Sequence, residues 1–386
     1  MSRHECFAVC TPGLETILAG ELRGLGVRPA HSDRGGVPFA ATTRQLYAAN
    51  LFLRTATRVL VRVASFDAPT FAALEREARR IPWDEWIASA TRVAFRVGST
   101  ASRLYHTGAI AERLGGVVPG EVERAGGEGD DESSDGAAAG RQVVRARVVR
   151  DRVTISLDAS GEPLFRRGWR QATAKAPLRE TLAAAMILAT GWDGSTPFVD
   201  PLCGSGTIAI EAALLARGMA PGRLREFAFQ RWPSFEPGTW ASVRGQAASA
   251  ARPERPVTVL AADRDPGAVR ATCGNAERAG IADALDVRHQ SLGELEPPAA
   301  GAVGAAARSA GWLVTNPPYG VRVQAGRDLR ELYATLGAVV RRGFSGWGVG
   351  LLVADAALAA QSKLRLAARF RTSNGGIPVR FVASLP

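Results

Sequence analysis

The stretch FVDPLCGSGTIAIEAALLA, Phe198 to Ala216, decides the fold. A short apolar run ends at Asp200, a glycine-rich turn follows, and a helical pattern opens at about Thr207. Glycines let a backbone approach a ligand closely, and a helix N-terminus offers free N–H groups. There is no GK[ST], which excludes a P-loop, and the turn is not GxGxxG. Gly204, Ser205 and Gly206 follow an aspartate and a proline instead. An acid in that place suits a cationic or amino-bearing ligand better than a pyrophosphate. A bare GxG is usually only a tight turn, whereas the full DPLCGSGT string is a far stronger signal.

Outward from this stretch, the runs TPFVD, VTVLAAD, GWLVTN and WGVGLLVAD each end in turn residues and are separated by helical segments. Strands alternating with helices predict an α/β fold with a mostly parallel sheet. In VLAADRDPGAVRATCGNAERAGI the strand ends at Asp263. An acid at the end of a second strand commonly accepts hydrogen bonds from ribose hydroxyls. Asp265, followed by Pro266, has the place of a helix N-cap instead. The span from Gly206 to Asp263 is much longer than the roughly 20 residues of compact dinucleotide folds. It holds APGRLREFAFQRWPSFEPGTW, an aromatic and basic insertion suited either to stacking bases or to packing against the sheet.

A third motif, TNPPYG, closes the strand GWLV at Thr315 to Gly320. Residues at the end of a parallel strand face the ligand crevice. Asn316 offers a carbonyl acceptor, and Pro317, which cannot donate, leaves its C=O available. Two such acceptors hold both hydrogens of an exocyclic NH₂ and aim its lone pair at an electrophile. Tyr319 has the face to stack on the base. A lone NPP is by default a stiff turn; here two ligand motifs precede it in order.

The N-terminal region has a different character. CFAVC, a TPG turn and LETILAGELRGLG predict strand, turn and helix, with Gly24 and Gly26 ending the helix. GGVPFAA is a short strand, and TTRQLYAANLFLR an amphipathic helix opened by a threonine cap. RVLVRVASF, RVAFRVGST and RVTISLDAS alternate as half-buried strands do, with arginines on their polar faces, and TFAALEREARRI is helical. The acidic, glycine-rich segment 120–142 has almost no core-forming residues and is expected to be a disordered insertion. Beyond it a basic connector, EPLFRRGWRQATAKAPLRET, leads into a long apolar helix.

Composition narrows the classes. A chain of 386 residues predicts two or three domains, and a net charge of +11 favours polyanionic partners, although arginine replacing lysine on solvated faces gives the same balance. Cys6, Cys10, Cys203 and Cys273 form no CxxC pair and no zinc spacing, so neither a metal site nor a disulfide framework is expected. No segment has membrane length, and MSRHECFAVC is not a signal peptide. The expectation is a cytoplasmic protein.

Taken together, the three motifs resemble the class I S-adenosylmethionine-dependent methyltransferases that modify amino nitrogens of bases, with their (D/N/S)PP(Y/F/W) signature. RRGWR…AKAPLRETLAAA, DPLCGSGTIAIEAA, FAFQRWPSF and TNPPYG, in that order, look like the THUMP-containing large-subunit rRNA guanine-N2 methyltransferases. TPGLETILAGELRGLG…GGVPF and IPWDEW look like that family's ferredoxin-like and THUMP regions, so the resemblance covers nearly the whole chain.

The resemblance implies three parts: a ferredoxin-like domain over 1–54, a THUMP-like RNA-binding domain over 55–160, and a Rossmann-like methyltransferase domain over 161–386. It implies that Asp200, Cys203, Gly204 and Gly206 line the methionine end of S-adenosylmethionine and that Asp263 holds its ribose. It implies that Leu178, Arg179 and Glu180 close that pocket, and that Asn316, Pro317, Pro318 and Tyr319 form the acceptor-base site. Ser291 stands where the family often has an acid near the adenine amine. The chain ends at Pro386, without the second methyltransferase module fused in some relatives. The activity implied is methyl transfer to guanosine N2 in structured RNA, most of all 23S rRNA, with the base flipped into the site. The alternatives are a tRNA guanine-N2 enzyme, a DNA adenine-N6 enzyme, and a non-catalytic RNA-binding assembly factor.

Overall fold

The computed structural model describes residues 3–29, 31–123, 140–171, 178–298, 311–319 and 326–384. The chain divides into two compact units. The first comprises residues 1–10, 18–164 and 225–244; the second comprises 11–17, 165–224 and 245–386.

The first unit is built on β1 (His4–Val9), α1 (Glu15–Gly24), β2 (Gly36–Ala41), α2 (Thr43–Phe52), β3 (Arg58–Asp67), α3 (Phe71–Ala78), β4 (Arg92–Thr100), α4 (Thr107–Gly115), β5 (Glu121–Val122), β6 (Arg141–Val149) and β7 (Arg152–Asp158). Thr42 caps α2 as expected: its Oγ1 accepts from the Gln45 amide at 3.3 Å, while Gln45 Oε1 accepts from the Thr42 amide at 3.1 Å. All seven strands join one sheet in the order β2-β1-β3-β7-β6-β4-β5. The strands expected in 1–54 and those expected in 55–160 therefore share one hydrogen-bonded ladder, through β1 and β3.

A buried polar network crosses the same expected boundary. Arg58 donates to Asp158 Oδ2 at 2.5 Å and to the Gly161 carbonyl at 2.6 Å, and Ser160 Oγ donates to Asn50 Oδ1 at 2.7 Å. A buried charge stripped of its partner costs several kcal/mol, so this network ties the two segments into one core. Strand β6 is absent from the sequence expectation, although VVRARVV alternates. The expected insertion at 120–142 loses both ends to β5 and β6, and its remainder, 124–139, lies outside the described residues.

The aromatic insertion belongs to this unit. Phe229 stacks on Tyr47 at 4.3 Å, Trp240 meets Phe229 edge-on at 5.3 Å, and Trp232 meets Trp86 edge-on at 5.0 Å. Trp232 also donates its indole N–H to Gln142 Oε1 at 2.7 Å. Phe227, Phe229, Trp232 and Trp240 are all buried. Of the two uses open to this segment, packing is the one adopted, because these rings have no free face to offer a base.

One row of the sheet is basic. Arg62 of β3 and Arg145 of β6 both lie opposite Ser156 of β7, and Arg96 of β4 lies directly opposite Arg145. Arg147, two residues along β6 and exposed, repeats the sign on the same face.

The second unit contains α5 (Glu180–Thr190), β8 (Phe198–Asp200), α6 (Thr207–Ala216), the end of α7 (Pro237–Ala250), β9 (Val259–Asp263), α8 (Pro266–Arg278), β10 (Leu285–His289), β11 (Trp312–Thr315), α9 (Gly326–Gly343), β12 (Gly348–Val353), α10 (Ala356–Gln361), β13 (Ala367–Asn374) and β14 (Ile377–Ala383). The sheet order is β10-β9-β8-β11-β12-β14-β13. Strands β8 to β12 are parallel, and β14 runs antiparallel to β12 and β13. This is the expected Rossmann-like α/β sheet, completed by a β13–β14 hairpin that the sequence reading passes over. Parallel strands covered on both faces are apolar throughout, and Val199, Leu260, Leu313, Leu351 and Val353 are fully buried. The order reverses between β8 and β11, so the loops leaving these neighbours flank the ligand crevice of such a sheet.

Candidate functional site

The glycine loop is held from beneath by β9 and α8. The Cys203 amide donates to the Ala262 carbonyl at 3.0 Å. Thr272 Oγ1 donates to the Gly204 carbonyl at 2.9 Å, and Asn275 Nδ2 to the Ser205 carbonyl at 3.0 Å. Gly206 has φ +83°, and a Cβ there would lie 2.7 Å from Thr272 Cγ2, so both backbone and packing demand glycine. Gly204, at φ +55°, is different: a Cβ there would have no neighbour within 4 Å. Its open side, beside the uncapped N-terminus of α6, is the space a ligand would take.

The two acids of the second motif take different partners. Asp265 caps α8, its Oδ1 accepting from the Gly267 amide at 2.7 Å. Half-buried Asp263 accepts from the Gly204 amide at 2.9 Å through Oδ2 and from the Asp265 amide at 3.0 Å through Oδ1. It therefore sits against the glycine loop at the strand end, where ribose hydroxyls are ordinarily received. Ser291, two residues past β10, is occupied locally: its Oγ donates to Glu294 Oε2 at 2.8 Å and the pair caps a single turn.

Asp200 is 1 % exposed and accepts from Thr315 Oγ1 at 2.7 Å. The bond joins the end of β8 to the end of β11. Burial pushes the Asp200 carboxyl up to about 7, against the Thr315 and Leu202 hydrogen bonds that favour its charge; the nearby Asp263 charge adds to the rise. Burial likewise raises the Cys203 thiol, which is inert as a nucleophile.

Glu180 is buried at the start of α5, and burial raises its carboxyl against the opposing charge of Arg170. Arg170 donates to Glu180 Oε1 at 2.8 Å, to the Leu178 carbonyl at 2.9 Å and to Thr207 Oγ1 at 2.7 Å. It thus clamps the first turn of α5 to the first turn of α6. The sequence reading names Leu178, Arg179 and Glu180 but not Arg170; the signal for it is that a buried acid requires a cation. Arg179 lies with its guanidinium 4.8 Å over the Phe165 ring.

The acceptor side follows directly on Thr315. Asn316 is half-buried, Pro317 buried and Pro318 exposed. Tyr319 Oη donates to Asn316 Oδ1 at 2.7 Å, and Asn374 Nδ2 donates to Tyr319 Oη at 2.9 Å. Asn374, the last residue of β13, is a second member of the site that the sequence reading does not name. Nearby on α9, buried Tyr333 has a hydroxyl without a partner among the described residues, and burial raises it well above the usual phenol range. Among the described residues no His, Cys, Asp and Glu side chains group as metal ligands, and no helix is long and apolar enough to cross a membrane.

Residues 167–382 match the methyltransferase domain family described as RMKL-like (UPF0020), and residues 5–60 match the RlmL ferredoxin-like domain. The chain is 32% identical over 373 residues to a Synechocystis sp. protein named "Putative RNA methyltransferase slr0064", covering 96% of this chain and 94% of that one. It is 34% identical over 384 residues to the ribosomal RNA large subunit methyltransferase K/L of Aeromonas salmonicida, covering 97% of this chain but 53% of the relative. It thus spans about half the length of the K/L relatives it matches. The crystal structure of SMU.472 complexed with SAH superimposes with a TM-score of 0.84 at 25% identity, covering 99% of this chain and 98% of the other.

Proposed function

The chain belongs to the RMKL-like methyltransferase family, and from that premise we propose that it methylates the exocyclic N2 amine of a guanosine in large-subunit ribosomal RNA. The observation that carries the reading is the Asp200–Thr315 hydrogen bond, 2.7 Å long. It ties the strand end that leads into the glycine loop to the strand end that leads into the NPPY segment, where the sheet order reverses.

The cradle on the β8 side suits S-adenosylmethionine. Gly204 leaves room, Asp263 offers a half-buried carboxylate at the strand end, and the α6 N-terminus has no side-chain cap. Asp200, Cys203 and Gly206 shape that loop, Leu178 and Glu180 border it through the Arg170 clamp, and Arg179 stands between those two in sequence. When bound, the cofactor supplies a methyl group on a sulfonium. On the β11 side, Asn316 Oδ1 and the Pro317 carbonyl accept the two amine hydrogens and turn the nitrogen lone pair towards that methyl. Pro318 stiffens the segment, and Tyr319 bounds the base. Such a site works by positioning, which contributes several kcal/mol when reacting groups are held in line.

The RNA reading is supported by the K/L relatives and by the arginine row of the first unit. It places the protein in the cytoplasm with its substrate. Nucleoside mass spectrometry of a deletion strain tests it. N2-methylguanosine is expected to fall in 23S rRNA; a loss confined to tRNA, or a loss of N6-methyladenine from DNA, would overturn the assignment.

A further inference from the structure

We propose that Asn374 is a positioning residue for methyl transfer, setting through Tyr319 which atom of the Asn316 carboxamide meets the acceptor amine. The inference rests on the functional reading above and deepens it.

The hydrogen-bond chain couples the two carboxamides, because turning either one alone breaks it. Asn316 Oδ1 can only accept, so the Tyr319 hydroxyl at 2.7 Å must donate to it. The Tyr319 oxygen is then left as an acceptor, and its partner at 2.9 Å must be a donor, which the Asn374 amide group is. Burial raises the Tyr319 hydroxyl above its ordinary range, which keeps it protonated and able to donate. A carboxamide is nearly symmetric in shape, so packing alone does not distinguish its oxygen from its nitrogen. The Tyr319 proton does so while Asn374 donates to Tyr319: it then goes to the Asn316 oxygen and leaves that oxygen a second lone pair for the substrate. Rotated by half a turn, Asn316 would present N–H to an amine that is itself a donor.

The identity of Asn374 is not required by its own hairpin. Asn374 pairs with Ile377, so the loop between them is Gly375–Gly376, with φ +57° and +82°. A two-residue turn with both φ positive makes its conformational demand on those glycines, not on the residue before them. Asparagine at 374 therefore calls for another reason, and its side chain points to one by crossing 55 positions of sequence to Tyr319.

The test uses the full chain, S-adenosylmethionine and total rRNA from a strain lacking the gene. Asn374→Asp is nearly isosteric, yet its carboxylate accepts the Tyr319 proton and draws it away from Asn316. A fall in kcat of ~10–100-fold is expected, the scale of losing one oriented group. KM for RNA and calorimetric affinity for S-adenosylhomocysteine should stay within about twofold, the mark of an orientation lost without binding. Tyr319→Phe should show the same kcat loss, and adding Asn374→Asp to it should cost nothing more, because the chain is already cut. Wild-type kcat in Asn374→Asp, or losses that multiply in the double variant, would overturn the proposal. So would a parallel loss of S-adenosylhomocysteine affinity, since the effect would then be structural. Absence of transfer by the wild-type chain would overturn the functional reading itself.

Discussion

The substitution Asp200→Asn should change how stability depends on pH, and the direction is fixed by burial. The Asp200 carboxyl rises from its ordinary 3.8 to about 7 in the folded chain. The folded state then binds a proton that the unfolded state releases at lower pH. The stability this supplies is complete below the ordinary carboxylate range and is lost as pH rises towards about 7. Each pH unit in that window removes about 1.4 kcal/mol, so the whole window is worth about 4 kcal/mol. The carboxamide introduced by Asp200→Asn cannot titrate, yet its oxygen can still accept from Thr315 and Leu202. The assay is urea unfolding of both proteins from pH 4.5 to 8, taking the difference between them so that every other titrating group cancels. The variant should gain steadily on the wild type up to about pH 7, after which the gap should stop widening. A difference that stays flat across the range would refute the reasoning, because it would mean the carboxyl is solvated in the folded chain.

Asn316→Ala should lower kcat by at least ~100-fold while leaving S-adenosylhomocysteine binding intact by calorimetry, since it removes a transition-state acceptor and no cofactor contact. Gly206→Ala should cost ~2–4 kcal/mol in urea unfolding, from left-handed strain plus the Thr272 contact, whereas Gly204→Ala should cost only ~1–2 kcal/mol. Equal losses would mean that the open side of Gly204 is misassigned. Arg147→Ala should weaken RNA binding and reduce the slope of log affinity against log salt by about 1, read by filter binding at several salt concentrations.

The parts legible in sequence are those whose chemistry is local. A strand that ends in an acid, turns on glycines and opens a helix declares itself within a few residues, as does a diproline after asparagine. The parts that stayed hidden depend on partners far apart in the chain. Asp200 and Thr315 are 115 positions apart, and no spacing rule joins them. Arg170 looks like one more arginine in a basic connector until Glu180 is found buried beside it. Asn374 looks like a turn residue because NGG is a strong hairpin signal. The aromatic insertion could not be assigned because stacking and packing draw on the same rings. Only the burial of Phe229 and Trp232 distinguishes them.

Net charge gave a similarly ambiguous signal, and the register of the first sheet sharpens it. A genome rich in arginine scatters positive charge over solvated faces and gains nothing by alignment. Here Arg96 lies directly opposite Arg145, and Arg62 shares their row through Ser156. Like charges on directly opposed strand positions destabilise a sheet by a few tenths of a kcal/mol or more. A polyanion lying across such a row would gain from it, because each neutralised phosphate also releases its counterions. Position, rather than the total of +11, is what favours RNA over a mere excess of arginine.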